Sequence, residues 1–327
     1  MAAYTDYQKK LRCGTIKPQK PIKKRGTLAV GVVEATPVVW HGRLLRFEWT
    51  RPDGHEFMER PGLKEGSYRF VDMETEEPTP DFAFDHCFGS AYVKKDESGE
   101  TMYVFGTRGS WGQRAIDIYT SDDLVKWELR SSLEFPEGFK VFNTSVCDGP
   151  DGYVMAVECG GSDPRIGVNF TNFFAVSKDL LSWEILPMEK YVYDPSRYTA
   201  CPVIRYFNGY YYIINLESAP LFRWLPYIVR TKDLVTFEPG MINPVMSMSE
   251  EDRIIIRPER FTEAQREHIA TAADNNNSDF DICEYEGKTV IIYSWGCQLG
   301  REFLALAEYD GPMGEFLESF FGDEFEG

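Results

Sequence analysis

One phrase occurs three times in this chain: Ser121-Asp122-Asp123-Leu124-Val125-Lys126-Trp127-Glu128, Ser177-Lys178-Asp179-Leu180-Leu181-Ser182-Trp183-Glu184 and Thr231-Lys232-Asp233-Leu234-Val235-Thr236-Phe237-Glu238. Asp123 and Asp179 are 56 positions apart and Asp179 and Asp233 are 54 apart, a near-constant period that marks a repeat architecture. Each copy follows a short apolar run (Ile116–Tyr119, Phe173–Val176, Tyr227–Val229), so it reads as a strand leaving into a turn. There the Asp carboxylate can accept hydrogen bonds from its own backbone. The spacing predicts that Trp127, Trp183 and Phe237 pack between neighbouring sheets. A unit of about 55 residues built from short strands has the size of one propeller blade.

Five hairpins carry the same pattern of strand, turn and strand. They are Thr36–Phe47, Ser90–Val93 with Thr101–Phe105, Thr144–Cys147 with Gly152–Val157, Pro202–Ile214, and Asp281–Tyr293. The expected fold is therefore all-β: a single five-bladed β-propeller over residues 28–327, preceded by a basic, extended arm over residues 1–27. Two interruptions break the period. Residues 52–84 read as a Pro- and Glu-rich loop over blade one. Residues 258–272 read as a short helix, with Thr262 and Gln265 fitting a capping box. The aromatic stretch from Phe316 to Phe325 reads as a closing segment.

The charge balance, 35 Lys and Arg against 52 Asp and Glu for a net −17, argues against nucleic acid and anionic membrane as partners, since both need a cationic face. A neutral carbohydrate is the partner class left open, and oligomeric state is not legible. No apolar run is long enough to span a bilayer. The first residues lack the apolar core of a signal peptide and the seven Cys are scattered, so a reduced, cytoplasmic protein is expected. Neither paired Cys nor an H-E-x-x-H spacing is present, so no zinc site and no cofactor is expected, and a structural divalent ion in the central channel is left open without a motif to support it.

In a propeller, the residues just before the first strand of each blade and just after the second converge on one funnel. The first set is Glu34, Asp85 with His86, Asn143, Thr199–Cys201, and Asp279 with Asp281. The second is Glu48 with Trp49, Arg108 with Trp111, Glu158, Glu217, and Trp295 with Gln298. Carboxylates and aromatic rings dominate, which is what a sugar site needs: acids to protonate and activate, rings for the apolar sugar faces. Glu34, Glu217, Glu158 and Asp279 are the catalytic candidates. Asp85, His86, Arg108, Trp111, Asn143, Asp281 and Trp295 are the substrate-binding candidates. Structural roles compete: a turn hydrogen bond for Glu34, a partnered imidazole for His86, a counter-ion for Arg108, core packing for the two Trp.

The hairpins, the repeated turn and the phrase Cys201-Pro202-Val203-Ile204-Arg205-Tyr206-Phe207-Asn208-Gly209-Tyr210-Tyr211-Tyr212 resemble the five-bladed propeller glycoside hydrolases of family 43, family 32 and their relatives over residues 28–310. That resemblance implies an exo-acting furanosidase or xylosidase, with a blade-one carboxylate as base or nucleophile, a helper Asp on a middle blade and a Glu acid. It also implies inversion, which requires carboxyl groups about 6.5–9.5 Å apart. The chain departs from the pattern at each catalytic position. It has Ala200-Cys201-Pro202 in place of Glu-Gly-Pro or Glu-Cys-Pro, Asn143 in place of Asp, and Glu34 in place of an Asp directly before Pro. Two further readings follow. One is a phosphorylase of the family 130 type, for which Arg108, Arg165, Arg197 and Arg301 are the available phosphate ligands. The other is an inactive, glycan-binding propeller.

Overall fold

Strand pairing follows chain order in the computed structural model, which describes residues 2–16, 19–50, 66–97, 99–109, 111–297 and 301–322. Helix α1 (Ala2–Cys13) and strand β1 (Ile22–Val30) come first. The antiparallel units β2 (Thr36–Trp40), β3 (Arg43–Thr50), β4 (Ser67–Asp72) and β5 (His86–Asp96), β6 (Gly99–Arg108), β7 (Ala115–Ser121), β8 (Glu128–Glu134) follow. Next are β9 (Phe139–Gly149), β10 (Gly152–Gly161), β11 (Thr171–Ser177), β12 (Trp183–Ile185), then β13 (Thr199–Phe207), β14 (Tyr210–Ala219), β15 (Arg223–Thr231), β16 (Phe237–Pro239). Helix α2 (Glu263–Thr271) leads into β17 (Asn276–Tyr285), β18 (Lys288–Gly296) and β19 (Glu302–Tyr309), and α3 (Met313–Glu318) ends the described chain.

The fourth and fifth units share one parallel bridge, Trp224 to Asn276, and are otherwise separate meanders. The first strands β2, β5, β9, β13 and β17 touch in that order, and β17 touches β2. The ring is therefore closed, and the architecture is the five-bladed β-propeller the repeats predict. None of the described helices is long and apolar enough to cross a membrane.

Blade five takes its outer strand from the other end of the chain. β1 runs antiparallel to β19, with Ile22 opposite Tyr309 and Val30 opposite Phe303. The segment expected as an extended arm is helical over Ala2–Cys13, in keeping with its Ala, Lys, Gln and Leu content. Tyr7 is buried, and Lys10 Nζ donates to the Gly322 carbonyl at 3.0 Å. The segment 52–84 is not all loop: β4 lies within it and gives blade one its third strand, while its first part, to residue 65, lies outside the described residues. Helix α2 has both arms of the Thr262–Gln265 capping box. Phe316, Phe320 and Phe321 are buried against Tyr309 and Tyr212, so the closing segment packs up to residue 322, and residues 323–325 lie outside the description.

The repeated phrase forms the same turn each time. Asp123 Oδ1 accepts from the N–H groups of Val125 and Lys126, both at 2.8 Å, and Asp179 and Asp233 do the same two and three residues ahead. The following Leu is left-handed in every copy (Leu124 φ 58°, Leu180 φ 68°, Leu234 φ 58°) and buried. The strain, about 1 kcal/mol or more, is offset by roughly 1.5–3 kcal/mol for burying the side chain. Each motif aromatic then packs on the preceding blade. Trp127 stacks on Phe82 with centroids 3.8 Å apart, Trp183 meets Phe105 at 5.7 Å and Phe237 meets Phe174 at 6.3 Å.

Candidate active site

Inner strands that ran straight would send alternate side chains into neighbouring blades, and none down the central axis. Here they are broken. β5, β13 and β17 carry bulges between Cys87 and Ser90, Ala200 and Val203, and Ser278 and Asp281. In blade three a register shift sets Phe142 and Asn143 opposite Glu158. Glu34, Phe88, Cys201 and Asp279 lie in the left-handed region, with φ of 55°, 52°, 44° and 48°. Strain of this kind, repeated at one end of the ring, marks a site rather than a defect. In blades two and four Gly89 and Pro202 are its local cause, because neither suits the middle of a strand.

The bulges deliver a polar cluster built around Asn143. Its Nδ2 donates to Glu34 Oε1 and to Glu158 Oε2, each at 3.0 Å, and lies 3.4 Å from Cys201 Sγ. Glu158 Oε2 also accepts from the Cys201 backbone N–H at 2.7 Å. Cys201 Sγ donates to Asp279 Oδ1 at 3.0 Å, and Trp49 Nε1 donates to Glu34 Oε2 at 2.7 Å. Blades one, three, four and five thus each contribute a residue. Glu34, Asn143, Cys201 and Asp279 line one cavity of about 30 Å³ beside Gly89, Pro202 and Phe280. Glu34, Cys201 and Asp279 have donor atoms within 4.8 Å of one another, the one group among the described residues close enough to hold a metal ion.

Burial dominates the electrostatics. It pushes the Glu158 carboxyl up to about 7, against the hydrogen bonds from Cys201 and Asn143 and with the Asp279 charge adding to the rise. Burial also raises Asp279, aided by the charge of Glu302 and opposed by hydrogen bonds from Cys201, Ser294 and Ser278. The Cys201 thiol is driven well above its ordinary range by burial and by Asp279, Glu158 and Glu34, so it stays a neutral donor. Glu158 and Asp279 hold their protons to higher pH in the folded than in the unfolded chain. Their contribution to stability is therefore present below the ordinary carboxylate pKa of about 4 and lost as pH rises through the folded value. The urea midpoint is expected to fall between pH 4.5 and about 7, and Glu158→Gln to flatten that fall. A slope unchanged in the variant would exclude Glu158 as its source.

An aromatic wall runs from blade one to blade four beside the cluster. Successive centroids are 5.1 Å apart for Trp49–Phe88, 5.8 Å for Phe88–Trp111, 5.6 Å for Trp111–Phe142, 5.1 Å for Phe142–Phe170 and 5.5 Å for Phe170–Tyr198. Trp111, 57 % exposed, offers its ring to solvent.

Of the remaining candidates, Asp281 lines the same cavity as the cluster, and Glu217, His86, Arg108, Asp85 and Trp295 make their bonds elsewhere. Glu217 is raised by burial but paired with Arg197, from the loop before β13. His86 Nε2 lies 3.0 Å from Asp117 Oδ2, to which Arg108 Nη2 also donates at 2.6 Å. Both are thus partners of one buried carboxylate between blades one and two. Asp85 is exposed, and its carbonyl accepts from Gly109 N–H at 2.7 Å. Asp281 is held by Arg205 Nη2 at 2.5 Å. Trp295, expected to stack on sugar, is instead fully buried: it packs on Phe303 at 4.4 Å and donates to Thr27 Oγ1 at 2.9 Å. Gln298 lies outside the described residues. Sequence reasoning missed Asp117, although a carboxylate flanked by Ile116 and Ile118 in an apolar strand is its signal. It also missed the part taken by the Cys201 thiol, for which the sequence carries no signal beyond Pro202.

No family model and no curated protein matches this chain. Solved structures do. The catalytic domain of the Coprinopsis cinerea GH62 α-L-arabinofuranosidase is similar with a TM-score of 0.58 and 9% identity over 89% of this chain and 98% of that one. The Podospora anserina α-L-arabinofuranosidase solved with cellotriose gives 0.55 and 8% over 90% and 98%. An α-L-arabinofuranosidase from Lactobacillus brevis gives 0.55 and 10% over 87% and 93%. At these identities the likeness is one of fold, and it extends over nearly the whole chain.

Proposed function

We propose that this chain is a glycoside hydrolase whose chemistry rests on Glu34 and Asp279, at the inner ends of blades one and five. One observation carries the reading: their carboxylate oxygens come within 4.8 Å of each other in one cavity, beside a row of aromatic rings. Glu34 accepts two N–H hydrogen bonds, as an ionised carboxylate does, and is the nucleophile. Asp279, whose carboxyl burial raises above its ordinary range, is the acid. Glu34 attacks the anomeric carbon while the Asp279 proton passes to the departing oxygen. Asp279 then takes a proton from water, which attacks the same carbon and releases Glu34. Asn143 and Glu158 position Glu34 and Cys201 from beneath.

This separation is shorter than inversion requires and favours retention of configuration. Exo action, as the resemblance implies, belongs to the same proposal. The phosphorylase reading is weakened because Arg108, Arg165 and Arg197 are each paired with a carboxylate: Asp117, Asp163 and Glu217. The inactive, glycan-binding reading is favoured by Ala200 and Asn143 alone.

The test is a panel of aryl furanosides and pyranosides, with the configuration of the first-formed sugar followed by NMR. Hydrolysis with a retained anomer is expected. Release of a sugar phosphate only when phosphate is present would favour the phosphorylase. Glycan binding without turnover of any substrate would favour the inactive propeller.

A further inference from the structure

A cavity of about 600 Å³ opens between blades three and four, on the side of the ring away from the funnel. The second and third copies of the repeated turn form its walls. Its distance from the funnel follows from β10: Gly152, at the cavity, and Glu158, at the cluster, are six residues apart, about 20 Å at the rise of an extended strand. The repeat also decides which side chains line it. Tyr153 pairs with Ser177 and Tyr211 with Thr231, in each case the first residue of the repeated phrase, so both blades set a Tyr at the same position. Blade two has Met102 there, opposite Ser121. Gly149 gives Tyr211 its room, since a Cβ at that position would come within 2.3 Å of the Tyr211 hydroxyl.

What sets this cavity apart is a buried polar group that the protein leaves unused. Tyr211 is 8 % exposed, yet its hydroxyl has no hydrogen-bond partner among the described residues, and the half-buried Tyr153 has none for its own. Trp183 adds a ring without a spare donor, because its Nε1 is taken by the Leu180 carbonyl at 2.9 Å. The two cations of the lining are engaged. Lys178 Nζ donates to the Asp151 carbonyl, and Lys232 Nζ lies 4.6 Å from the centroid of the Tyr210 ring. Asp151 and Glu184, exposed at the rim, add carboxylate acceptors. With Asp179 and Asp233 they outnumber the ammonium groups four to two, which disfavours an anion. Flat rings, phenol hydroxyls and acceptor oxygens suit a neutral ligand with apolar faces and many O–H donors, which is a sugar. The volume falls within the range of small-molecule sites.

We propose that this cavity is a non-catalytic site for a neutral oligosaccharide, separate from the funnel, with the Tyr211 hydroxyl and the Asp151 carboxylate as its hydrogen-bonding groups and the Tyr153 and Trp183 rings as its stacking surfaces. Calorimetric titration of the full chain with xylohexaose, arabinohexaose and hexalysine tests this, with Glu34→Ala as the background so that the funnel does not consume the ligand. At least one of the two sugars is expected to bind, and hexalysine is not. Asp151→Ala is expected to weaken that binding about tenfold, the effect of one charge-assisted contact, and Tyr211→Phe about fivefold, that of one neutral hydrogen bond. Asp151 is exposed and Tyr211→Phe keeps the ring, so both variants should fold. Trp111→Ala, on the funnel side, is expected to leave this binding in place. No heat with either sugar, or an affinity indifferent to both Asp151→Ala and Tyr211→Phe, overturns the proposal. Heat lost in Trp111→Ala alone places the sugar in the funnel and overturns it too. Binding of hexalysine in preference to the sugars overturns it in favour of a cationic partner. The readout is binding rather than turnover, so its failure leaves the hydrolase reading untouched, and a chain that hydrolyses nothing can still pass it.

Discussion

Glu34→Ala is expected to lower kcat/KM on an activated aryl glycoside by about 10⁴-fold, roughly 5 kcal/mol of transition-state stabilisation, and added azide to restore turnover. The truncation removes the attacking oxygens and leaves a hole beside the anomeric carbon. A small anion can enter it, form the bond that Glu34 would have formed, and give a glycosyl azide of inverted configuration. The fold should survive, because Glu34 precedes β2 and its partner Asn143 Nδ2 borders the cavity, where water can replace the lost carboxylate. Asp279→Asn is expected to behave differently. A substrate with a poor leaving group should lose far more rate than one with a good leaving group, since only the former needs a proton. Loss of activity in Glu34→Ala without azide rescue would mean that Glu34 activates water instead. Full activity in both variants would remove the pair from the mechanism.

Glu48→Leu is expected to destabilise the protein by about 3–5 kcal/mol, the usual cost of stripping one partner from a buried ionic group. Arg46 is 2 % exposed and Arg69 9 %, so neither guanidinium can recover hydration without opening the seam between blades one and five. Arg46 would keep Glu76, while Arg69 would lose both of its contacts to Glu48. Urea denaturation followed by Trp fluorescence measures the loss. Replacing Arg46, Glu48 and Arg69 together by apolar residues of similar volume should recover most of it, because Glu76, which then loses Arg46, keeps Arg257 as its counter-ion. A single variant as stable as the parent would show that the three side chains exchange with solvent freely.

What could be read from the sequence was what repeats or alternates locally. The Asp-Leu turns predict blades, and the spacing of the motif aromatics points to packing between them. The capping box of α2 was likewise legible from Thr262 and Gln265. What escaped depends on contacts far apart along the chain. β1 carries no mark of its partner β19, and β4 is a run of six residues inside a segment rich in Pro and Glu. Glu48 was grouped with the funnel residues by its position at a strand end, yet strand alternation turns it towards Arg46 and Arg69. Glu34, Asn143, Glu158 and Asp279 were nominated by ring geometry. The bulges that bring them together with the Cys201 thiol are backbone events without a side-chain signature, apart from Pro202 and Gly89.

The seal between β1 and β19 has an implication for biosynthesis. Ile22 leaves the ribosome well before its partner Tyr309 exists, so the earliest sheet segment must wait, unpaired, until nearly all of the polypeptide has emerged. Blades one to four can assemble as they appear, but the circle locks only at the end, and until then the exposed rim of β1 and the open flank of blade five are sites where a neighbouring nascent chain can insert.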